Sequence, residues 1–139
     1  MNHELRIMKN LLTSPAPIRS FTDLNAWREG RKLVIMIYRV TETFPQSELY
    51  ELTKQLRKAA VSITSNIAEG FSRRSYKEKA QFYSVSLGSV TEVQNQSLIA
   101  MDVGYISAQE FQKIAAQSVI VNKLLNGLIR KTKTMIHDS

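Results

Sequence analysis

The residues that decide the fold are 55–70, which read QLRKAAVSITSNIAEG. Apolar residues recur here and just before at spacings of three and four: Leu52, Leu56, Ala59, Ile63 and Ile67. Such spacing puts them on one face of an α-helix that packs on a core. A second stripe beside it is polar and consists of Gln55, Ser62, Asn66 and Glu69. The stretch is therefore predicted to be a helix whose small and polar residues allow another helix to approach closely.

Outward from this stretch, apolar periodicity predicts four helices, at about residues 23–44, 48–69, 75–103 and 107–136. The inward stripe expected for the third is Phe82, Val85 or Ser86, Ser89, Val93, Gln96 and Ala100. The fourth shows a heptad, with Phe111, Ser118, Leu125 and Thr132 on one position and Ile114, Val121, Leu128 and Met135 on the other. Nothing in the pattern indicates a strand.

Turn and capping signals separate these helices. They are Pro45 after the first helix, Ser47 and Gly70 at the two ends of the second, Gly104 after the third, and the capping boxes of Ser75 with Glu78 and Ser107 with Glu110. Because short connections make consecutive helices antiparallel, residues 21–139 are expected to form an all-α, up-down-up-down antiparallel four-helix bundle. Residues 1–20 are expected to form an N-terminal arm, since Pro15 and Pro17 interrupt the chain there.

Composition excludes several kinds of site. The 139 residues include no cysteine, and the two histidines, His3 and His137, stand at opposite ends of the chain, so no metal site is expected. A glycine-rich phosphate loop and a nucleophile elbow are both missing, which favours a protein without cofactor or catalytic residues rather than an enzyme. With no apolar run of about 20 residues and no convincing signal peptide, a cytoplasmic location is expected.

The charge is basic and unevenly distributed. The net charge is +7 and the pI about 9.8, which suggests an anionic partner such as nucleic acid. Residues 54–79 hold seven basic and two acidic side chains, whereas residues 80–112 hold three acidic and no basic ones. An antiparallel bundle would gather Arg28, Arg31, Lys32, Arg73, Arg74, Lys77, Lys79, Arg130, Lys131 and Lys133 at one end. It would gather Glu42, Glu48, Glu51, Asp102 and Glu110 at the other.

Two groups of basic residues are candidates for contacting phosphates. The first, at the basic end, comprises Arg73, Arg74, Lys77, Lys79, Arg130, Lys131 and Lys133; the second, along the second helix, comprises Lys54, Arg57 and Lys58. Lys77 and Lys79 are the favoured candidates because they stand at a helix N-terminus, where the helix dipole disfavours a positive charge. Stabilisation of the helix therefore does not explain their position. The alternative is that these side chains are simply solvated or complement helix dipoles. Phe71 or Tyr76 could stack on bases, whereas Phe82 and Tyr38 are expected in the core.

Polar residues near the core are predicted to satisfy partners on a neighbouring helix or subunit. They are Gln55, Ser62, Asn66, Glu69 and Glu92. A catalytic pair of Glu69 and Glu92 is the alternative, and it is much less favoured.

The run QLRKAAVSITSNIAEG with FSRRSYKE after it, and then the pattern of Leu87, Gly88, Ser89 and Glu92, resembles a known family. Its members are four-helix-bundle proteins encoded in intervening sequences of bacterial large-subunit ribosomal RNA genes, and the accessory variability determinant of diversity-generating retroelements is a relative. The resemblance runs from residue 23 to the last helix. It implies a homo-oligomeric ring of five subunits with a basic surface for nucleic acid and, in the retroelement relatives, a reverse transcriptase partner.

Two functions remain after this reading. The first is a non-enzymatic homo-oligomer that binds RNA or DNA largely without sequence specificity, as an accessory to a nucleic-acid-processing partner. The second is an oligomeric scaffold or protein-interaction module with no role in nucleic-acid binding. Binding that weakens steeply with salt separates the two, because phosphate contacts release counterions.

Overall fold

Four long helices make up most of the computed structural model, which describes residues 17–136. They are α1 (Asn25–Thr41), α2 (Lys54–Ser72), α3 (Tyr76–Asp102) and α4 (Ala108–Thr134). A 3-10 turn at Phe21–Asp23 precedes α1, and no strand occurs in the part of the chain that is described. Most of the predicted N-terminal arm, residues 1–16, lies outside the described residues.

Hydrogen bonds between neighbouring helices establish their order around the bundle. Those bonds join Arg57 to Thr41, Ser86 to Ile63, Gln94 to Ser118, and Gln117 to Glu29. Each helix therefore packs beside the next one in the chain and runs antiparallel to it, and α4 closes the bundle against α1. The prediction of an all-α four-helix bundle is confirmed.

The core lies where the apolar stripe of α2 meets the other three helices. Leu56, Ile63 and Ile67 are fully buried, as their spacing predicts. They meet fully buried residues from the remaining helices: Leu33, Ile37, Val90, Val93, Ile114, Val121 and Leu125. Burying a side chain of this size contributes about 1.5–3 kcal/mol before entropy costs. These residues form one continuous apolar core, whose burial is the dominant favourable contribution to folding.

The start of α2 differs from the prediction. Ser47 does not cap the helix, because it lies within a 3-10 turn at Gln46–Glu48 that is followed by a π-helical turn at Leu49–Thr53. The first helix also ends at Thr41 rather than near residue 44. Pro45 disfavours helical geometry at the residue before it, so the chain tightens into turns earlier than its apolar pattern suggests.

Gly70 does not end α2, although the sequence predicts that it should. The helix continues to Ser72, and Gly70 faces α3 from within it. A Cβ atom added at Gly70 would lie 2.8 Å from Cε1 of Tyr83 and 2.9 Å from Cβ of Phe82. Gly70 is therefore required for the close approach of two helices, not for a left-handed turn.

The other caps largely follow the sequence. Ser107 and Glu110 form the complete capping box, whereas at Ser75 the side chain accepts the Glu78 N–H without a reciprocal bond. Gly104, with φ +87°, follows α3 and donates to the Met101 carbonyl. This positive φ is the conformation that glycine adopts readily after a helix C-terminus.

The register of α3 and α4 differs from the predicted stripes at several positions. Tyr83 and Ser86 are buried, whereas Phe82 is half-buried and Val85 is exposed, because Gly70 admits the Tyr83 ring between the helices. Tyr38, expected in the core, is 42% exposed. In α4 the buried stripe reaches Ile129 instead of Leu128, since a helix of 3.6 residues per turn drifts from a heptad.

Candidate nucleic-acid interface

The basic end of the bundle is formed by the start of α1, the end of α2, the start of α3 and the end of α4. Its basic residues differ in how far they are already engaged. Within residues 17–136 there are three ion pairs: Arg28 with Asp23, Lys32 with Glu29, and Arg73 with Glu69. The basic charge of α1 is thus partly neutralised, and most of the unpaired positive charge at this end comes from the α2–α3 connection, α3 and α4.

Arg73 has a structural role at this end of the bundle, in addition to being a candidate for phosphate contact. It ends α2 in an extended conformation, pairs with Glu69, and lays its guanidinium over the Phe82 ring at 4.6 Å. These contacts hold the α2–α3 connection against both helices. Glu69, predicted to satisfy a partner on another helix or subunit, instead pairs with Arg73 four residues further along the chain and is exposed.

Lys79 also makes contacts within the protein, although its position at a helix N-terminus predicts no structural role for it. Its Nζ atom donates a hydrogen bond of 2.6 Å to the Phe71 carbonyl oxygen and lies 5.3 Å from the centre of the Phe71 ring. Burial lowers the pKa of the Lys79 ammonium. Although Lys79 belongs to the first turn of α3, its charge reaches the last turn of α2, where the helix dipole favours a cation.

Of the basic residues predicted for this end, six are exposed and have no carboxylate partner among the described residues. One of them, Arg31 of α1, lies over the Trp27 ring at 5.7 Å. The other five are Arg74, Lys77, Arg130, Lys131 and Lys133. Exposed guanidinium and ammonium groups near helix ends suit contacts with phosphate oxygens. The predicted end-on cluster therefore consists of these five, with Arg73 and Lys79 supporting the turn beneath.

The second group of basic residues lies on a different face. Arg57 donates a hydrogen bond of 2.8 Å to the Thr41 hydroxyl, and its guanidinium lies over the Tyr38 ring at 4.7 Å. Together with Lys54 and Lys58 it lines an open groove of about 540 Å³. The remaining lining residues are Tyr38, Leu49, Tyr50, Thr53 and Val61. We call this the tyrosine groove.

Tyr50 was not identified from the sequence, although it is the most exposed large hydrophobic side chain described, at 79%. Its position off the stripe of Leu52 and Leu56 could have indicated this exposure. The two rings predicted as stacking candidates, Phe71 and Tyr76, lie at the basic end and are each half-buried. Phe71 is partly covered by Lys79.

The polar residues beside the core converge on a second groove, between α2 and α3. This polar groove measures about 420 Å³ and is lined by Gln55, Lys58, Ala59, Ser62, Ser89, Glu92 and Gln96. The hydroxyls of Ser62 and Ser89 are 2.8 Å apart across it. Asn66 joins the set by donating to the carbonyl and the hydroxyl of Ser62. Gln55, Ser62 and Glu92 are thus brought together as a set, while Glu69 is not.

One acceptor in the polar groove has no partner. Gln96 is buried and donates through Nε2 to a Glu92 carboxylate oxygen at 3.3 Å, but its Oε1 atom accepts no hydrogen bond. A buried carbonyl oxygen without a donor costs about 1–3 kcal/mol. Gln96 is therefore a lining residue of the polar groove whose buried side-chain oxygen has incomplete hydrogen bonding.

Residues 17–136 contain neither of two other kinds of site. No group of three or more histidine, aspartate or glutamate side chains is arranged to hold a metal ion. No helix within this range has both the length and the apolarity to cross a membrane.

The comparisons with known proteins agree with the resemblance seen in the sequence. A solved structure from Bacteroides thetaiotaomicron, described as a protein with unknown function from the S23 ribosomal protein family, has a similar fold at a TM-score of 0.70. It shares 19% sequence identity, and the alignment covers 76% of this chain and 95% of that one. No curated protein matches. The family model described as 23S rRNA-intervening sequence protein matches residues 22–127, so the chain belongs to that family.

Proposed function

We propose that this protein is a non-enzymatic homo-oligomer that binds RNA or DNA through phosphate contacts, largely without sequence specificity, as an accessory to a nucleic-acid-processing partner. The observation that carries this proposal is the set of five exposed basic side chains at one end of the bundle, with no carboxylate partner among the described residues. That set comes from two helices, α3 and α4, and from the α2–α3 connection. Acidic side chains collect at the other end, so the molecule is polar along its axis.

The arrangement favours contacts with the sugar–phosphate backbone over reading of base edges. Arg74 stands on the α2–α3 connection, Lys77 lies in the first turn of α3, and the other three lie along the last turns of α4. None of the four helices of the described chain projects from the bundle in the manner of a recognition helix that enters a groove of duplex DNA. Phosphate contacts position a nucleic acid but carry no sequence information.

Self-association is part of the proposal. The polar groove holds buried and half-buried polar groups, including the Gln96 oxygen without a donor, and a second copy would supply partners for them. The resemblance of the sequence implies a ring of five. In a ring with parallel subunits the basic end would be repeated once per subunit, and weak contacts would add up to avid binding.

The competing function is an oligomeric scaffold without nucleic acid. Titrations of unrelated single-stranded and duplex oligonucleotides at several salt concentrations distinguish the two, because phosphate-driven affinity falls steeply with salt. We expect the double variant R74E/K77E to weaken binding to all sequences alike and to flatten the salt dependence. Both residues are exposed, so their reversal should leave the fold intact. Binding that is absent, or independent of salt, would favour the scaffold.

A matched control uses the α1 group. The double variant R28E/K32E changes the same amount of charge at the same end of the bundle, but each of these residues already has a carboxylate partner. It should therefore weaken binding less than R74E/K77E does. An equal or larger effect would show that the unpaired set is not the main contact surface.

A further inference from the structure

We propose that the tyrosine groove between α1 and α2 is a base-stacking site for single-stranded nucleic acid. This inference rests on the proposed function and adds to it a second surface with its own ligand class. The groove combines two exposed aromatic rings with three cationic side chains, the combination by which proteins hold unpaired bases and their phosphates.

Tyr50 provides the principal stacking surface. Its side chain is 79% exposed, so both ring faces are open to solvent. Little of its apolar area is therefore buried in the free protein. It lies on the π-helical turn Leu49–Thr53, which departs from the regular helix at the start of α2. Such π turns occur often at functional sites, since they turn a side chain away from the helical register.

Tyr38 provides a second ring on the facing helix. It is 42% exposed, and the Arg57 guanidinium lies over it at 4.7 Å. The hydrogen bond from Arg57 to Thr41 fixes that guanidinium, so Tyr38 and Arg57 form a preorganised stack. A planar guanidinium can stack on a base as well as pair with a phosphate.

The positive charges around the groove complement the phosphates of a nucleic-acid strand and do not suit an apolar partner. Lys54 and Lys58 line it together with Arg57, while no acidic residue does. Leu49 and Val61 add apolar surface to the lining, which suits the apolar faces of bases. At about 540 Å³ the groove is within the range of small-ligand sites, and its open form allows a chain to continue beyond it.

Single strands are favoured over duplexes because of what each exposes. The bases of a duplex are stacked on one another and are not available to tyrosine rings, whereas unpaired bases present their faces. Stacking requires no 2′-hydroxyl and no particular base, so single-stranded RNA and single-stranded DNA should both bind. An acidic protein segment would match the cations but would leave the two rings without a planar partner.

The test uses the full-length protein and unstructured oligothymidylate and oligouridylate strands. Tyr50→Ala should weaken affinity for both by about five- to 150-fold, which corresponds to the stacking energy of one base on one aromatic ring. Tyr50→Phe keeps the ring and should bind nearly as well as the unchanged protein. Binding of a blunt-ended duplex should be the same for all three proteins. As a control for lost exposed apolar surface, Val85→Ala, outside the groove and 56% exposed, should have no effect.

A 2-aminopurine base in the strand gives a direct readout of stacking. Its fluorescence should be quenched by the unchanged protein and by Tyr50→Phe, but not by Tyr50→Ala. Unchanged single-strand affinity and quenching in Tyr50→Ala would overturn the stacking site while leaving the proposed function standing. If the unchanged protein binds neither strands nor duplex, the proposed function and this inference both fail.

Discussion

The Nζ atom of Lys79, at the start of α3, donates a hydrogen bond of 2.6 Å to the carbonyl oxygen of Phe71, in the last turn of α2. The last carbonyls of a helix have no partner within it. Lys79 supplies one from the next helix and also places a positive charge at the negative end of the α2 dipole. A residue that would be unfavourable for its own helix therefore stabilises the helix before it.

Replacing Lys79 by methionine tests this connection. The Lys79→Met variant keeps an unbranched apolar stem but loses the donor, so we expect a loss of about 0.5–1.5 kcal/mol of unfolding free energy. Lys77→Met is the matched control, because Lys77 is exposed on the same turn and should change stability by less than about 0.5 kcal/mol. Equal stability of the two variants in urea unfolding would show that the contact with Phe71 contributes nothing.

The contact between Gly70 and Tyr83 leads to a pair of opposite predictions. Gly70→Ala would force a Cβ atom to 2.8 Å from the Tyr83 ring, and such overpacking costs about 1–3 kcal/mol. At Gly88, in the middle of α3, an added Cβ has no atom within 4 Å. Gly88→Ala should therefore stabilise the protein by up to about 1 kcal/mol, since alanine favours the helix.

Thermal or urea unfolding of both variants measures the difference. Two stabilising substitutions would mean that α2 and α3 can separate at no cost. Two destabilising ones would mean that Gly88 is covered by another copy of the chain, which would support self-association.

How much of the fold the sequence can predict depends on the kind of signal. The buried residues of α2 can be predicted from periodicity alone, because the spacing of Leu56, Ile63 and Ile67 places all three on one face of a helix. The role of Gly70 could not be predicted in this way, since glycine after an apolar stripe usually ends a helix. Only the packing of α3 shows that it is needed for close approach instead.

The candidate site likewise has features that the sequence predicts and features that depend on packing. Antiparallel topology was enough to predict which basic residues gather at one end. Which of them are unpaired could not be predicted, because the contacts of Arg73 with Glu69 and Phe82 depend on the path of the connecting turn. The exposure of Tyr50 follows from its position off the apolar stripe, but its place in one groove with Tyr38 and Arg57 depends on the π turn and on how α1 packs against α2.

Alkaline pH should destabilise the protein through Tyr83. Burial raises the pKa of its hydroxyl to about 12 from a usual value of 10.0. Because the folded pKa is the higher one, the stabilisation is complete below pH 10 and is lost as the pH rises from there through about 12. A difference of two pKa units corresponds to about 3 kcal/mol at most.

Urea unfolding between pH 8 and pH 12, with Tyr83→Phe as the reference, isolates this effect. Lys79 acts in the opposite direction, because its lowered pKa makes stability rise with pH near its titration, but it is common to both proteins. We expect the unchanged protein to lose stability relative to Tyr83→Phe above pH 10. Parallel pH profiles would show that the Tyr83 hydroxyl ionises freely in the folded state.

Self-association through the polar groove is tested by two buried polar residues that are neighbours in the chain. The Oε1 atom of Gln96 and the hydroxyl of Ser97 both lack a hydrogen-bond partner among the described residues. Gln96 lines the polar groove, whereas Ser97 is fully buried and does not. Gln96 is 8% exposed, so a small rotation of its side chain would present the oxygen to a second copy seated in the groove, whereas Ser97, at 0%, stays out of reach.

Gln96→Met should accordingly weaken assembly, by about fivefold for each hydrogen bond of 1 kcal/mol that is lost between subunits. Ser97→Ala should leave assembly unchanged and should not lower stability, because it removes a buried hydroxyl that has no partner. Light scattering and sedimentation over a concentration series measure both effects. If Gln96→Met assembles as the unchanged protein does, the groove is not the contact surface. If the unchanged protein is monomeric at micromolar concentration, the ring is wrong as well, and repetition of the basic end cannot strengthen nucleic-acid binding.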